Sequence, residues 1–535
     1  MKKVSKILTT SAFAAVALAV AACGNNKPSG KGITIQMWTG FGKDYTGEIE
    51  KVIKTFNDNH KESINIVHTS QNNYNKLETN ISNSIDGLTY PHLANGYPDH
   101  FAEYIHKGVM LPLNNYIDAY NQKHNTDLLA DFEADYLTEN QTLYWDVADP
   151  SVTVTFGLPF NKSTEIMVVN GYYLDVARLV DPSIARDIVT WDDLKTNGPK
   201  IINALETAGV FGTDNKYLIG KVNASNNSVT EYRVSNSDAT GPEEVVLQDI
   251  SAVSKSSFRV LGYDDGSNAF ITMLHQWNSG YTDFDKDMYF ENEIGKAIFW
   301  RENYKGTNYK AATKAGLEYF KELYDLNCFG LPTHWSLTNF CTDAFEQGNC
   351  MFTIGSSGGL SNSTDASKRI EIHAIPYKDA EHKFVISQGT SLGLFSRYSG
   401  GALKPENREA AQKEWQASFD AMVELCTGEL QGSWVSNTGY FPSSKSAMNS
   451  QAYKSLLEDT NPSALRKMYQ NAAELNKNEY TKANGWTKFV DPGFLRSSQI
   501  RATVNLVLQN VMAGEKDIDT VMNETWNEVP AECRR

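Results

Sequence analysis

The sequence predicts an α/β protein with more than one lobe, held outside the cytoplasm. From Ile33 onward an apolar run, a helical repeat and a second apolar run fall within about 35 residues, the spacing of a strand-helix-strand unit. Such a unit implies a parallel sheet with helices on its faces. The chain has 535 residues, too many for one core, and with 41% apolar and 11% aromatic residues it can fill several. A basic and then apolar leader precedes this body.

The leader begins Lys2-Lys3, continues as an apolar run from Ala12 to Ala22, and ends Val20-Ala21-Ala22-Cys23. The run has the length of a signal-peptide core and is too short to span a bilayer as a stable helix. Small residues before a cysteine look like a bacterial lipoprotein signal, so 1–22 is expected to be removed and Cys23 lipidated. The alternative is an ordinary secretory signal with an incidental cysteine. Residues 23–32, rich in Gly, Asn and Lys, form a flexible tether in this reading.

Composition excludes several classes. The formal net charge is −15, and loss of Lys2, Lys3 and Lys6 leaves 46 basic against 64 acidic side chains, or −18. A surface this acidic disfavours nucleic acid, and an anionic ligand would need locally placed donors. Cys328, Cys341, Cys350, Cys426 and Cys533 are odd in number and contain no C-x-x-C pair, so free buried thiols are expected over a bridge near Cys328 to Cys350. The 10 histidines form no H-x-H or H-E-x-x-H pattern. Neither a metal nor a cofactor is expected.

Along the body, Ile33 to Trp38 suits a buried strand, Ile49, Val52, Ile53 and Phe56 recur at helical spacing, and Ile64 to Val67 is the next strand. Asn114 to Tyr120 is a helical turn. At Thr190-Trp191-Asp192-Asp193-Leu194 an N-cap precedes acids in a first turn. Residues 211–257, rich in Ser, Asn, Asp and Thr with short alternating pieces, are expected to be a surface insertion built as a hairpin. Trp415, Phe419, Met422, Val423 and Cys426 share one helical face. Ile500, Val504, Val507, Leu508, Val511 and Met512 share another, stopped at Gly514, and an amphipathic segment runs from about Ile518 to Val529.

Two stretches match G-x-S-x-G, Gly355 to Gly359 and Gly389 to Gly393. A hydrolase triad needs a later acid and then a histidine, and the last histidine is His382, so Ser391 cannot complete one. Met351 to Ile354 is strand-like, so the Gly/Ser turn after it is expected to open a helix whose N–H groups could receive an anion. No Lys follows in phosphate-loop register. The 26 Tyr, 24 Phe and 10 Trp offer faces suited to sugars and polyols, although most aromatic residues in any chain are packing.

Several segments together resemble a known family. They are Trp38 with the helix to Phe56, Asn72-Asn73-Tyr74, Leu158 to Glu165, Thr190 to Leu194, Phe345 to Met351, Ser387 to Leu392 and Thr438 to Pro442. In this order they are similar to the extracellular solute-binding proteins of carbohydrate-type ABC importers. The resemblance implies a two-lobed periplasmic-binding-protein-like fold of type II, with the ligand cleft between lobes and three hinge crossings. These crossings are expected near Phe156 to Phe160, Cys350 to Ile354 and Val385 to Gly389. Lobe 1 would then hold 33–157 and 352–387, and lobe 2 would hold 158–351 and 388–535. Residues contributed by both lobes are engaged together only on closure, so binding biases the hinge.

Within the family the chain most resembles receptors for glycerol 3-phosphate and glycerophosphodiesters. That likeness implies ligand contacts from Tyr74, Ser163, Ser356 or its neighbour Ser357, Gly389, Tyr440 and Arg501, the arginine offering a fork to phosphate. Where those receptors carry a carboxylate this chain has Pro98 followed by Asp99, and in place of two tryptophans it has Ser267 and Phe270. The expectation is therefore a monomeric, lipid-anchored receptor that binds a carbohydrate-class solute, such as a phosphorylated polyol, and delivers it to ABC transporter permease subunits at the cell membrane. A neutral sugar or oligosaccharide receptor of the same family is the first rival. A surface hydrolase using Ser356 or a carboxylate pair and an adhesion lipoprotein using 211–257 are the others.

Overall fold

A computed structural model of the chain describes residues 32–141, 153–212, 216–241, 243–284, 295–338, 340–363 and 369–535. The signal peptide, Cys23 and nearly all of the tether lie outside the described residues. No helix among the described residues is long and apolar enough to cross a membrane.

The fold is an α/β, two-lobed periplasmic-binding-protein-like one. Its strands are β1 (Ile33–Thr39), β2 (Ile64–Ser70), β3 (Leu93–Gly96), β4 (Gly157–Asn170), β5 (Tyr217–Val222), β6 (Val229–Ser235), β7 (Glu244–Asp249), β8 (Arg259–Tyr263), β9 (Thr282–Asp283), β10 (Lys296–Ala297), β11 (Phe329–Gly330), β12 (Cys350–Ser356), β13 (Ile370–His373), β14 (Lys383–Leu394) and β15 (Trp486–Phe489). The expected strand-helix-strand start is present: β1 pairs parallel with β2, and helix Lys43–Asn59 between them buries Ile49, Val52, Ile53 and Phe56. At Thr190 the expected cap is a full capping box with Asp193, which satisfies two backbone donors at the start of helix Trp191–Thr207.

Ten strands form one continuous path, β11-β8-β12-β4-β14-β3-β1-β2, with β13 beside β4 and β15 beside β14. The path is continuous because β4 and β14 run through both lobes. Every residue of β4 is buried over its 14 positions, roughly 45 Å at the usual rise per residue. Its first residues pair with the end of β14, which continues to β3, β1 and β2 as lobe 1. Its last residues lie between β12 and β13, with β8 and β11 beyond, as lobe 2.

This pairing corrects the expected lobe boundaries. Strand β12 joins β4 and β8 rather than β3 and β1, so 350–356 belongs with lobe 2 and is not a crossing. Helices Arg408–Cys426, which packs on β1, β4 and β14, and Gly428–Ser436, which packs on Lys43–Asn59, belong with lobe 1. The crossings are β4, β14 and the turn between helix Gln451–Leu457, packed on Gly428–Ser436, and helix Ala464–Glu474, packed on β13. A continuous apolar strand reads the same in either lobe, and its partner is set by tertiary pairing that no local pattern encodes.

Other expectations are refined. Around 211–257 the insertion is a three-stranded antiparallel sheet, β6-β5-β7, rather than a hairpin. Asp175 ties it to lobe 2 by accepting from Val229 N (2.9 Å) and from Arg369 Nη1 (2.7 Å). The face from Ile500 to Met512 is split into helices Ser497–Val504 and Val507–Ala513, with Gly514 left-handed at the end as expected. After β12 comes a 3-10 helix, Ser357–Ser363, not an α-helix N-terminus, and Gly389 to Gly393 lies inside β14. The five cysteines from Cys328 onward are buried free thiols.

Candidate functional site

Three of the expected site residues, Tyr74, Gly389 and Tyr440, gather where β4 and β14 cross between lobes. Gly389 has φ +99, and a Cβ there would lie 1.9 Å from the Asn161 carbonyl oxygen, so only glycine fits this close approach of the crossing strands. Beside it runs a polar shelf from three strands. Gly40 N donates to Asn95 Oδ1 (3.0 Å), Asn95 Nδ2 to Thr390 Oγ1 (3.1 Å), and Thr390 Oγ1 to Asn161 Oδ1 (2.7 Å). The Tyr74 phenol meets this shelf: burial raises its pKa against the lowering pull of Tyr440, Asn161, Thr390 and Asn95.

Four half-buried tyrosines, Tyr97, Tyr74, Tyr440 and Tyr45, run in a row that meets the shelf at Tyr74. The Tyr74 and Tyr97 rings meet edge-on at 5.1 Å, and Tyr45 lies 5.9 Å from Tyr440. Behind them Trp434 is fully buried, stacked on Tyr440 at 6.0 Å and against Phe41 at 4.8 Å. Burial pushes the Tyr97 and Tyr440 phenols well up, so both remain neutral hydroxyls. Gly358 allows Tyr440 its place, since a Cβ there would lie 2.5 Å from the ring.

Tyr97 links this aromatic end to an ionic end, because Arg501, Asp99 and Asp265 all act on its phenol. Arg501 Nη1 donates to Asp491 Oδ2 at 2.5 Å, and Nη2 donates to Asn268 Oδ1. Asn268 Nδ2 in turn donates to Glu165 Oε1 (3.0 Å), whose other oxygen accepts from the Tyr263 hydroxyl. Burial pushes Glu165 up to about 8 and Asp491 to about 6, the latter held back by Arg501. Burial opposes the charge on Arg501, yet Asp491, Asp265, Tyr281 and Asp99 more than offset it and hold its pKa above the ordinary value.

The lobes touch across this cleft. The Tyr45 hydroxyl donates to the Gly358 carbonyl and lies 3.2 Å from Ser361 Oγ. Ser498 Oγ donates to Glu78 (3.1 Å), Arg496 N donates to Glu103 (2.9 Å), and Gly493 lies so close to Pro98 that a Cβ would be 2.4 Å from its backbone. These contacts join lobe 1 helices Tyr74–Ser84 and Pro98–His106 to residues 493–498 of lobe 2.

Of the residues expected from sequence, Tyr74, Gly389 and Tyr440 meet at the shelf, and Asp99 and Arg501 meet at the ionic end. Ser163 lies buried in β4 opposite Gln388. Ser356 is half-buried and accepts from Gly358 N (3.2 Å), whereas Ser357 is fully buried, with no partner for its hydroxyl among the described residues. Ser267 is buried and donates to Asp265, the cap of helix Gly266–Gln276. Phe270 is a core residue at 0% exposure, edge-on to Phe299 at 5.7 Å, and it lines no cleft. Sequence reading missed Tyr45, Tyr97 and Asp491. The signal for Tyr97 was its place before Pro98, at the start of the helix that carries Asp99. Among the described residues no group of three His, Cys, Asp or Glu side chains is placed to hold a metal ion.

A family model described as bacterial extracellular solute-binding protein matches residues 51–460. No curated protein matches the chain. Several solved structures share its fold. UgpB from Mycobacterium tuberculosis in complex with glycerophosphocholine superposes with a TM-score of 0.61 at 13% identity, covering 93% of this chain and 97% of that one. An ABC substrate-binding protein from Listeria monocytogenes in complex with cycloalternan gives 0.60 at 13%, covering 93% and 97%. The GacH receptor of Streptomyces glaucescens, solved unliganded and with acarbose, gives 0.58 at 14%, covering 92% and 96%.

Proposed function

Because the chain belongs to the bacterial extracellular solute-binding proteins, we propose that it captures a hydroxyl-rich, carbohydrate-class solute between its lobes and delivers it to the permease of an ABC importer. The observation that carries this reading is the row of half-buried tyrosines beside the shelf of Asn95, Thr390 and Asn161, at the crossing of the strands that join the lobes. Tyrosine faces cover the apolar side of a sugar ring, and amide and hydroxyl groups exchange hydrogen bonds with its hydroxyls. Contacts from both lobes converge there, so a bound solute favours the closed arrangement that a permease can distinguish.

The same fold binds glycerophosphocholine in one protein and cycloalternan in another, so the presence of phosphate on the solute turns on the ionic end at Arg501. In this reading the protein is a monomer anchored through a lipidated Cys23 on the extracytoplasmic face of the membrane. Replacing Cys23 by Ser is expected to abolish fatty-acid labelling and release the protein from the membrane fraction.

The reading is tested by titrating the purified protein with mono- and oligosaccharides and with phosphorylated polyols, following tryptophan fluorescence and melting temperature. Trp434 sits against Tyr440, so a solute at the shelf alters its emission, and any solute bound only by the folded state raises the melting temperature. A panel without response in either measure would contradict the proposal.

A further inference from the structure

We infer that this cleft selects an uncharged, hydroxyl-rich solute and rejects phosphate, because Arg501 faces it already neutralised by Asp491. The inference deepens the carbohydrate reading and rests on it. The guanidinium already donates from Nη1 to Asp491 and from Nη2 to the Asn268 carbonyl oxygen, so the carboxylate that cancels its charge is held against it while its remaining N–H groups stay able to donate. Asn268 cannot turn its amide without breaking its bond to Glu165 Oε1, and Glu165 is fixed in turn by Tyr263. The pairing is therefore built from behind and is not a chance contact of two surface side chains: Arg501 is 29% and Asp491 18% exposed.

Charge around the pair points the same way. Asp99, brought by lobe 1, and Asp265, at the cap of helix Gly266–Gln276, both act on the same guanidinium. A phosphate seated on Arg501 would face three carboxylates against one cation, in a chain whose formal net charge is −15. A sugar hydroxyl meets no such conflict. It donates to a carboxylate and accepts from a guanidinium, so both members of the pair serve as ligand groups, and Tyr97 beside them supplies the apolar face.

The experiment compares the full-length wild type with Asp491→Asn by thermal shift and calorimetry at neutral pH, using inorganic phosphate, glycerol 3-phosphate and a neutral oligosaccharide panel as probes. Wild type is expected to ignore both phosphates at millimolar concentration. Asp491→Asn, which removes the neutralising charge from Arg501, is expected to gain at least tenfold in affinity for both. Stabilisation of the wild type by glycerol 3-phosphate, abolished by Arg501→Gln, would overturn the charge selection while leaving the receptor reading intact. A folded Asp491→Asn protein that gains no phosphate affinity would also overturn it. Silence of the wild type toward every neutral sugar as well would overturn the carbohydrate reading instead. Should Asp491→Asn fail to fold, Asp99→Asn leaves the ion pair in place and is expected to shift phosphate affinity in the same direction, and no shift there counts against the inference.

Discussion

Lys162 Nζ lies 2.5 Å from Glu139 Oε2, with the lysine side chain at 0% exposure and the glutamate at 4%. The ammonium also donates to the Gly389 carbonyl (3.1 Å), and Ser387 Oγ donates to the other Glu139 oxygen (3.2 Å), so the pair fastens both crossing strands to residue 139. The Lys162 backbone carbonyl accepts from Phe441 N (2.6 Å). One residue of β4 thus holds β14 and the segment that carries Tyr440.

Breaking this pair from one side leaves a buried charge without its partner. Lys162→Met is expected to lower stability by about 3–5 kcal/mol, measured by denaturant unfolding. The double variant Lys162→Met with Glu139→Leu is expected to recover most of that loss, because the uncompensated carboxylate is gone.

Gly389 cannot accept a side chain. Gly389→Ala would place a Cβ 1.9 Å from the Asn161 oxygen at a backbone φ of +99. A loss of about 2 kcal/mol or more in unfolding free energy is expected, together with weaker solute binding, since the shelf residues Asn161 and Thr390 must shift.

Glu165 gives stability a pH dependence. Burial raises its pKa from 4.5 to about 8, so the folded state keeps a proton that the unfolded state has released. Its contribution is fully present below 4.5 and is lost as pH rises toward 8. Glu165→Gln is expected to flatten this part of the stability profile, as read from unfolding curves at a series of pH values.

Tyr45 joins the lobes through its hydroxyl. Tyr45→Phe keeps the ring against Tyr440 and Trp434 and removes only that link, so release of solute is expected to quicken several-fold in stopped-flow measurements, with association nearly unchanged.

Much of the fold was legible in the sequence where the pattern is local. Ile49, Val52, Ile53 and Phe56 fix a helix by spacing alone, and Thr190 with Asp193 fixes another by capping chemistry. Pairing was not legible. Nothing in Cys350 to Ile354 tells whether it lies beside β3 or β8, and in the 211–257 insertion the central strand Tyr217–Val222 is placed only by its pairing with β6 and β7 on either side. At the site, Tyr74, Gly389, Tyr440 and Arg501 came through the resemblance, but the partner that changes the meaning of Arg501 did not. Asp491 lies ten residues earlier, in an irregular stretch before Pro492 and Gly493, where no periodicity aims a side chain.

The central claim is that a carbohydrate-class solute binds among the tyrosines between the lobes. It is tested most directly by isothermal calorimetry of the wild type and of Tyr97→Ala against mono- and oligosaccharides. The account predicts one-to-one binding of at least one sugar by the wild type, weakened by about tenfold to a hundredfold in Tyr97→Ala through loss of its ring face. Sugar binding that Tyr97→Ala leaves unchanged, or no binding by the wild type at all, would contradict it.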